Sequence, residues 1–250
     1  MTVTERTDSE DGEAAGAAMP IETAMTRPLL ALLHICDSLF PIGGFGYSDG
    51  LEAATAAGLI ETPADLQAWL DVCLDEVVGR MDGPAALRAW SAFDQQNWRA
   101  LRELDEEITA MRSSSAIRRS SRAMGLRLVT TWSALHPDLR LEGLLGLARK
   151  QRIGPALPVA FGCVCASAGV GLRETGAAYA YTRLASTTSA ALRLMRIGQI
   201  EAHARLAATL GRVPTVVEAM TTRVRPESFA PAMDISAMAQ PYLHSRLFRS

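Results

Sequence analysis

The sequence predicts an all-α protein: one helical-bundle-like domain of about ten helices, preceded by a disordered N-terminal segment and followed by a C-terminal docking tail. Three observations predict it. Apolar residues recur at steps of three and four along most of the chain, helix-start signals punctuate that pattern, and no stretch alternates apolar and polar residues as a half-buried strand would. With 250 residues and 48% hydrophobic content, the chain has material for one sizeable core. The boundaries fall at residues 1–27, 28–224 and 225–250.

Residues 1–27 hold six acids against two arginines and no Leu, Phe, Tyr or Trp. Such a segment buries too little apolar surface to offset the entropy of ordering it. It also lacks the basic start and apolar core of a signal peptide. The domain is expected to begin near Pro28 with a short apolar helix to Asp37, and a second helix reopens at Ser48–Glu52 and ends at Gly58. Thr62-Pro63-Ala64-Asp65 supplies a capping hydroxyl, a proline at the first helical position and an acid three residues after the cap. In the helix it opens, Leu66, Trp69, Leu70, Cys73, Leu74, Val77 and Val78 form one apolar stripe. Further helices are expected near 84–96, 98–112, 115–135, 139–150, 155–171, 175–196, 198–210 and 213–223.

Charge and composition narrow the function. A net charge of −2 and a pI near 6.1 give no general reason to expect nucleic acid or a membrane surface as partner. The basic residues are 24 arginines and the single Lys150, which leaves almost no candidate for a catalytic lysine. Cys36, Cys73, Cys163 and Cys165 sit in apolar periodic segments, the pattern of reduced core thiols in a cytoplasmic protein. Cys163 and Cys165 diverge by about 200° around a helix, wrong for one shared metal ion. His34, His136, His203 and His244 show no ligand spacing in sequence, so no metal ligand is assigned. Between Ile108 and Pro137 there are no acids, and Arg112, Arg118, Arg119, Arg122 and Arg127 lie in a serine-rich helical segment. This reads as a solvated face pairing with the acids at 103–107, or as an acid-docking stripe.

The most specified stretch is His34 to Glu52, which places Pro41, four glycines (Gly43, Gly44, Gly46, Gly50) and the aromatics Phe40, Phe45 and Tyr47 between two helices. Gly46-Tyr47-Ser48-Asp49-Gly50 matches the G-x-S-x-G elbow of serine hydrolases, but that elbow requires a buried strand before it, and Pro41-Ile42-Gly43-Gly44-Phe45 makes a poor one. Ser48 is therefore expected to cap a helix, and the loop to be a structural and interaction element in which Gly44→Val harms folding or assembly. No Gly-Lys-Ser/Thr ends the glycine run, so it is no phosphate loop.

Ser38-Leu39-Phe40-Pro41-Ile42-Gly43-Gly44-Phe45-Gly46-Tyr47-Ser48-Asp49-Gly50-Leu51-Glu52 resembles the signature of the urease accessory protein UreF family, approximately S-x-x-P-V-G-G-F-x-x-S-x-G-L-E. Three later blocks are similar to the same family. Leu157-Pro158-Val159-Ala160-Phe161-Gly162 corresponds to Y-P-V-x-F-G. Ala190 to Gln199 corresponds to A-A-x-R-L-x-P-L-G-Q, with Arg196 in place of proline. Asp234 to Ser250 corresponds to D-I-A-x-M-x-H-E-x-x-x-S-R-L-F-x-S, with Gln240-Pro241 in place of His-Glu.

The resemblance implies an all-helical, commonly dimeric, non-catalytic protein. Its implied partners are UreD (also called UreH), the GTPase UreG and apo-urease, in a complex that inserts nickel in a GTP-dependent step. No cofactor is implied. Candidate partner-binding residues are Phe45 and Tyr47 in the loop and Met238, Tyr242, Arg246, Leu247 and Phe248 in the tail, the latter expected to order on a partner. The alternatives are a serine hydrolase built on Ser48 and a helical nucleic-acid binder using the arginine segment, which lacks the interleaved aromatics such binders carry.

Overall fold

The computed structural model describes the backbone of residues 21–248, with side chains from Thr26 onward except that of Phe45. Every regular element among the described residues is helical: α1 (Ile21–Cys36), α2 (Leu51–Ala56), α3 (Pro63–Val72), α4 (Gly83–Asp94), α5 (Trp98–Met111), α6 (Ser115–Leu135), α7 (Leu139–Arg149), α8 (Leu157–Ser167), α9 (Leu172–Leu194), α10 (Gln199–Leu210), α11 (Val213–Thr222) and α12 (Pro231–Ala239). The all-α expectation holds, and most boundaries fall within a few residues of those read from the sequence. α1 starts earlier than expected, with Pro28 inside it; of the disorder expected at residues 1–27, positions 1–20 lie outside the described residues and positions 21–27 belong to α1 instead. α12 was not expected.

Core position follows from α8, whose residues from Leu157 to Ala166 are all buried. A helix apolar on every side must be wrapped by others, and α4, α6 and α9 pack around it. Its crossing with α4 requires Gly162, because a Cβ there would overlap the Ala86 carbonyl oxygen. The buried side chains of Leu66 and Leu70 in α3, and of Leu74 just beyond its end, continue this core, as their stripe predicts. Cys73, Cys163 and Cys165 lie in the core and Cys36 is half-buried; all four are free thiols. Burial pushes Cys36 and Cys73 up to about 11 and the other two higher still, so these are packing groups rather than nucleophiles.

The start of α3 is the expected capping box. Asp65 N–H donates to Thr62 Oγ1 at 3.2 Å, and Thr62 N–H donates to Asp65 Oδ2 at 2.8 Å. α3 then runs without interruption through a π-helical segment, Cys73–Asp82, into α4. Pro84 accounts for part of this. It has no N–H to give the Arg80 carbonyl, its α-helical partner. That carbonyl accepts instead from Glu227 N–H at 2.9 Å, which fastens the segment leading to the tail.

The α9–α10 break forms without the family's proline at Arg196. Met195 is extended (φ −112°, ψ 155°) and Gly198 caps α10. Among the described residues no helix is long and apolar enough to cross a membrane.

Candidate functional site

The loop between α1 and α2 is held from both ends. Leu39 N–H donates to Asp37 Oδ1 at 2.8 Å and Phe40 N–H to the Asp37 carbonyl at 2.9 Å, a turn that drives Phe40 into the core. Arg127 of α6 donates to the Ile42 carbonyl at 3.2 Å. Gly43 (φ 79°) and Gly50 (φ 91°) occupy left-handed backbone, as does Asp49 (φ 51°). Gly44 does not, and a Cβ there would meet only Ile42 at ordinary contact distance. The expectation that Gly44 is the sensitive glycine is therefore corrected to Gly43 and Gly50. Tyr47 is half-buried against the core rather than presented outward. The Phe45 side chain lies outside the described residues.

Ser48 is buried, unlike an exposed nucleophile; the N-cap of α2 is Gly50, so the expected cap position is corrected by two residues, although the Ser48 Oγ still accepts from Glu52 N–H of the first turn at 3.5 Å. Asp49 pairs with Arg183 of α9. Burial works hardest against the Arg183 charge, but Asp49 together with the other acidic groups around it, Asp82 among them, outweighs it and holds the guanidinium protonated well above its ordinary range. One turn back along α9, Tyr179 donates to Asp82 Oδ2 at 2.8 Å, and Arg112 pairs with Asp82 Oδ1 at 2.6 Å. Burial first, and the Asp82 charge second, push the Tyr179 phenol well above its ordinary value, so it stays a neutral donor. The Arg183–Asp49 ion pair binds α9 to the loop, and the Tyr179–Asp82 hydrogen bond binds it to the π segment.

The tail is the feature the sequence concealed. α12 packs on α2 and α6. Ser113 Oγ donates to Asp234 Oδ1 at 2.7 Å, and Ser114 Oγ to the Ala237 carbonyl at 3.3 Å. Gly50 lies against the α12 backbone, where a Cβ would come within 2.8 Å of Ala237 N. Gln240, fully buried, accepts from Ala53 N–H at 3.2 Å and donates to Glu52. The Glu52 carboxylate, itself 6% exposed, also accepts from Leu247 N–H at 2.5 Å and Phe248 N–H at 3.2 Å. The Gly-Leu-Glu that closes the loop motif is thus the anchor of the tail.

Five of the seven candidate partner-binding residues lie in this tail, and the structure divides them. Met238, Tyr242, Arg246 and Leu247 are exposed, Tyr242 by 88%; Ile235 joins Met238 on the outer face of α12, and Tyr242 closes the 3-10 turn that follows it. Phe248 is corrected: it is 2% exposed, with Arg193 stacked 4.2 Å over its ring, so it serves the chain's own packing. The expectation of a tail ordered only on a partner is corrected likewise, since Glu52 and Gln240 order it internally. The arginine segment is also partly committed. Arg118 bonds the carbonyls of Arg112 and Ser113, and Arg122 approaches Asp105 at 3.9 Å. No group of three or more His, Cys, Asp or Glu gathers at metal-binding spacing among the described residues.

A family model described as UreF matches residues 60–210. The chain is 31% identical over 227 residues to the urease accessory protein UreF of Methylibium petroleiphilum, an alignment covering 89% of this chain and 94% of that protein. It is 30% identical over 240 residues to the protein of that name from Polaromonas sp., covering 93% and 100%. The Azoarcus sp. protein of that name is 31% identical over 227 residues, covering 89% and 96%. Alignments of that length take in the loop as well as the helical body.

Proposed function

Because the chain belongs to the UreF family of urease accessory proteins, we propose that it acts as a non-catalytic adaptor in urease maturation. It would assemble, as a homodimer, with a UreD-type protein and the GTPase UreG on apo-urease, and so couple GTP hydrolysis to nickel insertion. The observation that carries the adaptor reading is the outer face of α12. A tail fixed to its own chain through Ser113 and Ser114 at α12 and through Glu52 and Gln240 beyond it leaves Ile235 and Met238 of α12, and Tyr242, Arg246 and Leu247 after it, in water. Apolar anchors rimmed by a cation on a rigid element suit a protein partner.

The test is co-purification with a co-expressed UreD-type protein. Tyr242→Ala and Met238→Ala should each weaken capture by about 1–3 kcal/mol, roughly 5- to 150-fold in affinity. Recovery equal to the parent chain for both would end the docking role of this face. Ser48→Ala supplies the complementary check: urease activation in a normally folded variant should persist, and a fluorophosphonate probe should leave the parent chain unlabelled.

A further inference from the structure

A cavity of about 150 Å³ lies where stretches far apart in sequence meet: the π segment, the turn from α5 into α6, Arg183 of α9 and the start of α12. Its walls are mostly apolar, from Val77, Met81, Met111, Ile117, Ala230 and Met233, and the exposed Met111 and Ser113 give it a side toward solvent. An apolar cavity of about this size holds one benzene-sized ring. Three of the six apolar side chains are methionines, which adapt their shape to a ring and make favourable sulfur–aromatic contacts with it.

The polar groups of the cavity set what that ring carries. The Nε atoms of Arg112 and Arg183, two side chains that line it, are buried and meet no hydrogen-bond acceptor among the described residues. Arg112 is the more enclosed of the two, 9% exposed in its side chain against 13%. A buried N–H left unpaired is costly, and an acceptor oxygen placed in the cavity removes that cost. Charge, by contrast, is already matched. Arg112 pairs with Asp82 and Arg183 with Asp49, while Asp234, the remaining ionised side chain of the lining, accepts from Ser113. A cationic ligand would face two guanidinium groups and an anionic one would face Asp234, each without a free counterion. We infer that this cavity is a binding site for an uncharged, phenol-type molecule, with its ring among the methionines and its oxygen accepting from the Arg112 Nε–H. The inference stands on this geometry and does not depend on the adaptor reading. The lining runs from Asp49 to Asp234, so the fold assembles a site that no local stretch of sequence displays.

The test uses the full-length chain with carbon-13 in its methionine methyls, titrated with phenol at pH 7.5, where phenol is uncharged, and followed by NMR. Ring currents should shift the methyls of Met81, Met111 and Met233 along one saturable curve and leave those of Met195 and Met220, outside the cavity, in place. Toluene, which matches phenol in shape but lacks the oxygen, should bind at least about tenfold more weakly. Benzoate, which brings a charge, should give no saturable shift. Arg112→Lys keeps a cation beside Asp82 and removes the Nε–H, so phenol should lose most of its advantage while toluene binds as before. Ala230→Leu puts bulk into the cavity and should abolish binding of both. Circular dichroism confirms that each variant is folded, and the phenol–toluene comparison in the parent chain decides the matter without any variant. No saturable shift with phenol, shifts at Met195 and Met220 in place of the three lining methyls, toluene or benzoate bound as tightly as phenol, or an unchanged phenol preference in a folded Arg112→Lys chain would each overturn the site.

Discussion

At Gly50 a backbone φ of 91° coincides with a contact that leaves no room for a side chain, because Ala237 N sits 2.8 Å from where a Cβ would be. Gly50→Ala should therefore cost about 1–3 kcal/mol in urea unfolding, from the left-handed backbone and the displaced α12 together. Gly44→Ala, which meets neither constraint, should stay within about 0.5 kcal/mol of the parent; equal losses at both positions would contradict this division. Glycine density was legible in the sequence, but which glycine is constrained depends on a helix nearly two hundred residues away. Tyr179 gives a pH signature at the same scale. Its phenol is raised in the folded state, so its contribution is fully present below the unfolded pKa near 10 and is lost as pH climbs above it. Tyr179→Phe should be about 1–3 kcal/mol less stable at pH 8, where the buried Asp82 loses a donor. Above pH 10 that gap should shrink by about 1.4 kcal/mol per pH unit, because only the unfolded tyrosine ionises freely. Urea titrations at pH 8, 10 and 11 measure it, and a constant gap would refute the neutral-donor role.

Helices with a sustained stripe or a strong start signal declare themselves: Thr62 with Asp65 opens α3, and Leu66, Leu70 and Leu74 face the core where the 3.6-residue period puts them. α12 gives no such signal. Its inner contacts are Met233, Ser236 and Ala237, of which only Met233 is large and apolar, while Ile235 and Met238 face water, so the large apolar residues are split between both faces and no stripe forms. The π segment was hidden for another reason. Hydrogen-bond register is set by Pro84 and by the Glu227 N–H that takes the Arg80 carbonyl, and side-chain periodicity does not encode it. In α8 the helix expected near 155–171 is present, and the structure shows what its glycine does. Gly162→Ala would press a Cβ against the Ala86 carbonyl and Trp90 N, two backbone atoms of α4. Helix pairs do not yield to backbone overlap without moving apart, so the expected loss is at least about 1–3 kcal/mol. Gly198→Ala, with nothing within 4 Å, is the control and should change the melting temperature little. A Gly162 variant as stable as the Gly198 variant would mean that the α4–α8 crossing is looser than described.

Across the whole molecule, the first and last motifs of the sequence meet in one place. Three donors reach the Glu52 carboxylate, all from beyond residue 239, and the tail in turn covers Gly50 and bonds Ser113 and Ser114. Removing that carboxylate leaves Gln240 and the amides of Leu247 and Phe248 without an acceptor in a buried setting, at about 1–3 kcal/mol for each group kept dry. The chain has a cheaper response, which is to release the tail into water, so the loss in global stability is capped by the free energy of tail docking. Glu52→Ala should thus leave the amides of α4 and α8 as slow to exchange with deuterium as in the parent, while those of 231–248 exchange much faster. Glu52→Gln keeps one acceptor and should fall between. Partner binding supplies the second half of the prediction. Met238, Tyr242 and Leu247 are untouched by the substitution, but a released tail must be ordered again on binding, and that entropy subtracts from the affinity. The Glu52 variant should bind the UreD-type partner several-fold more weakly although it alters no side chain on the outer face, and saturating partner should restore slow exchange in 231–248. Unchanged exchange in the tail of the free variant would show that Glu52 is not its anchor, and slow exchange restored with no loss of affinity would separate the anchor from the docking face.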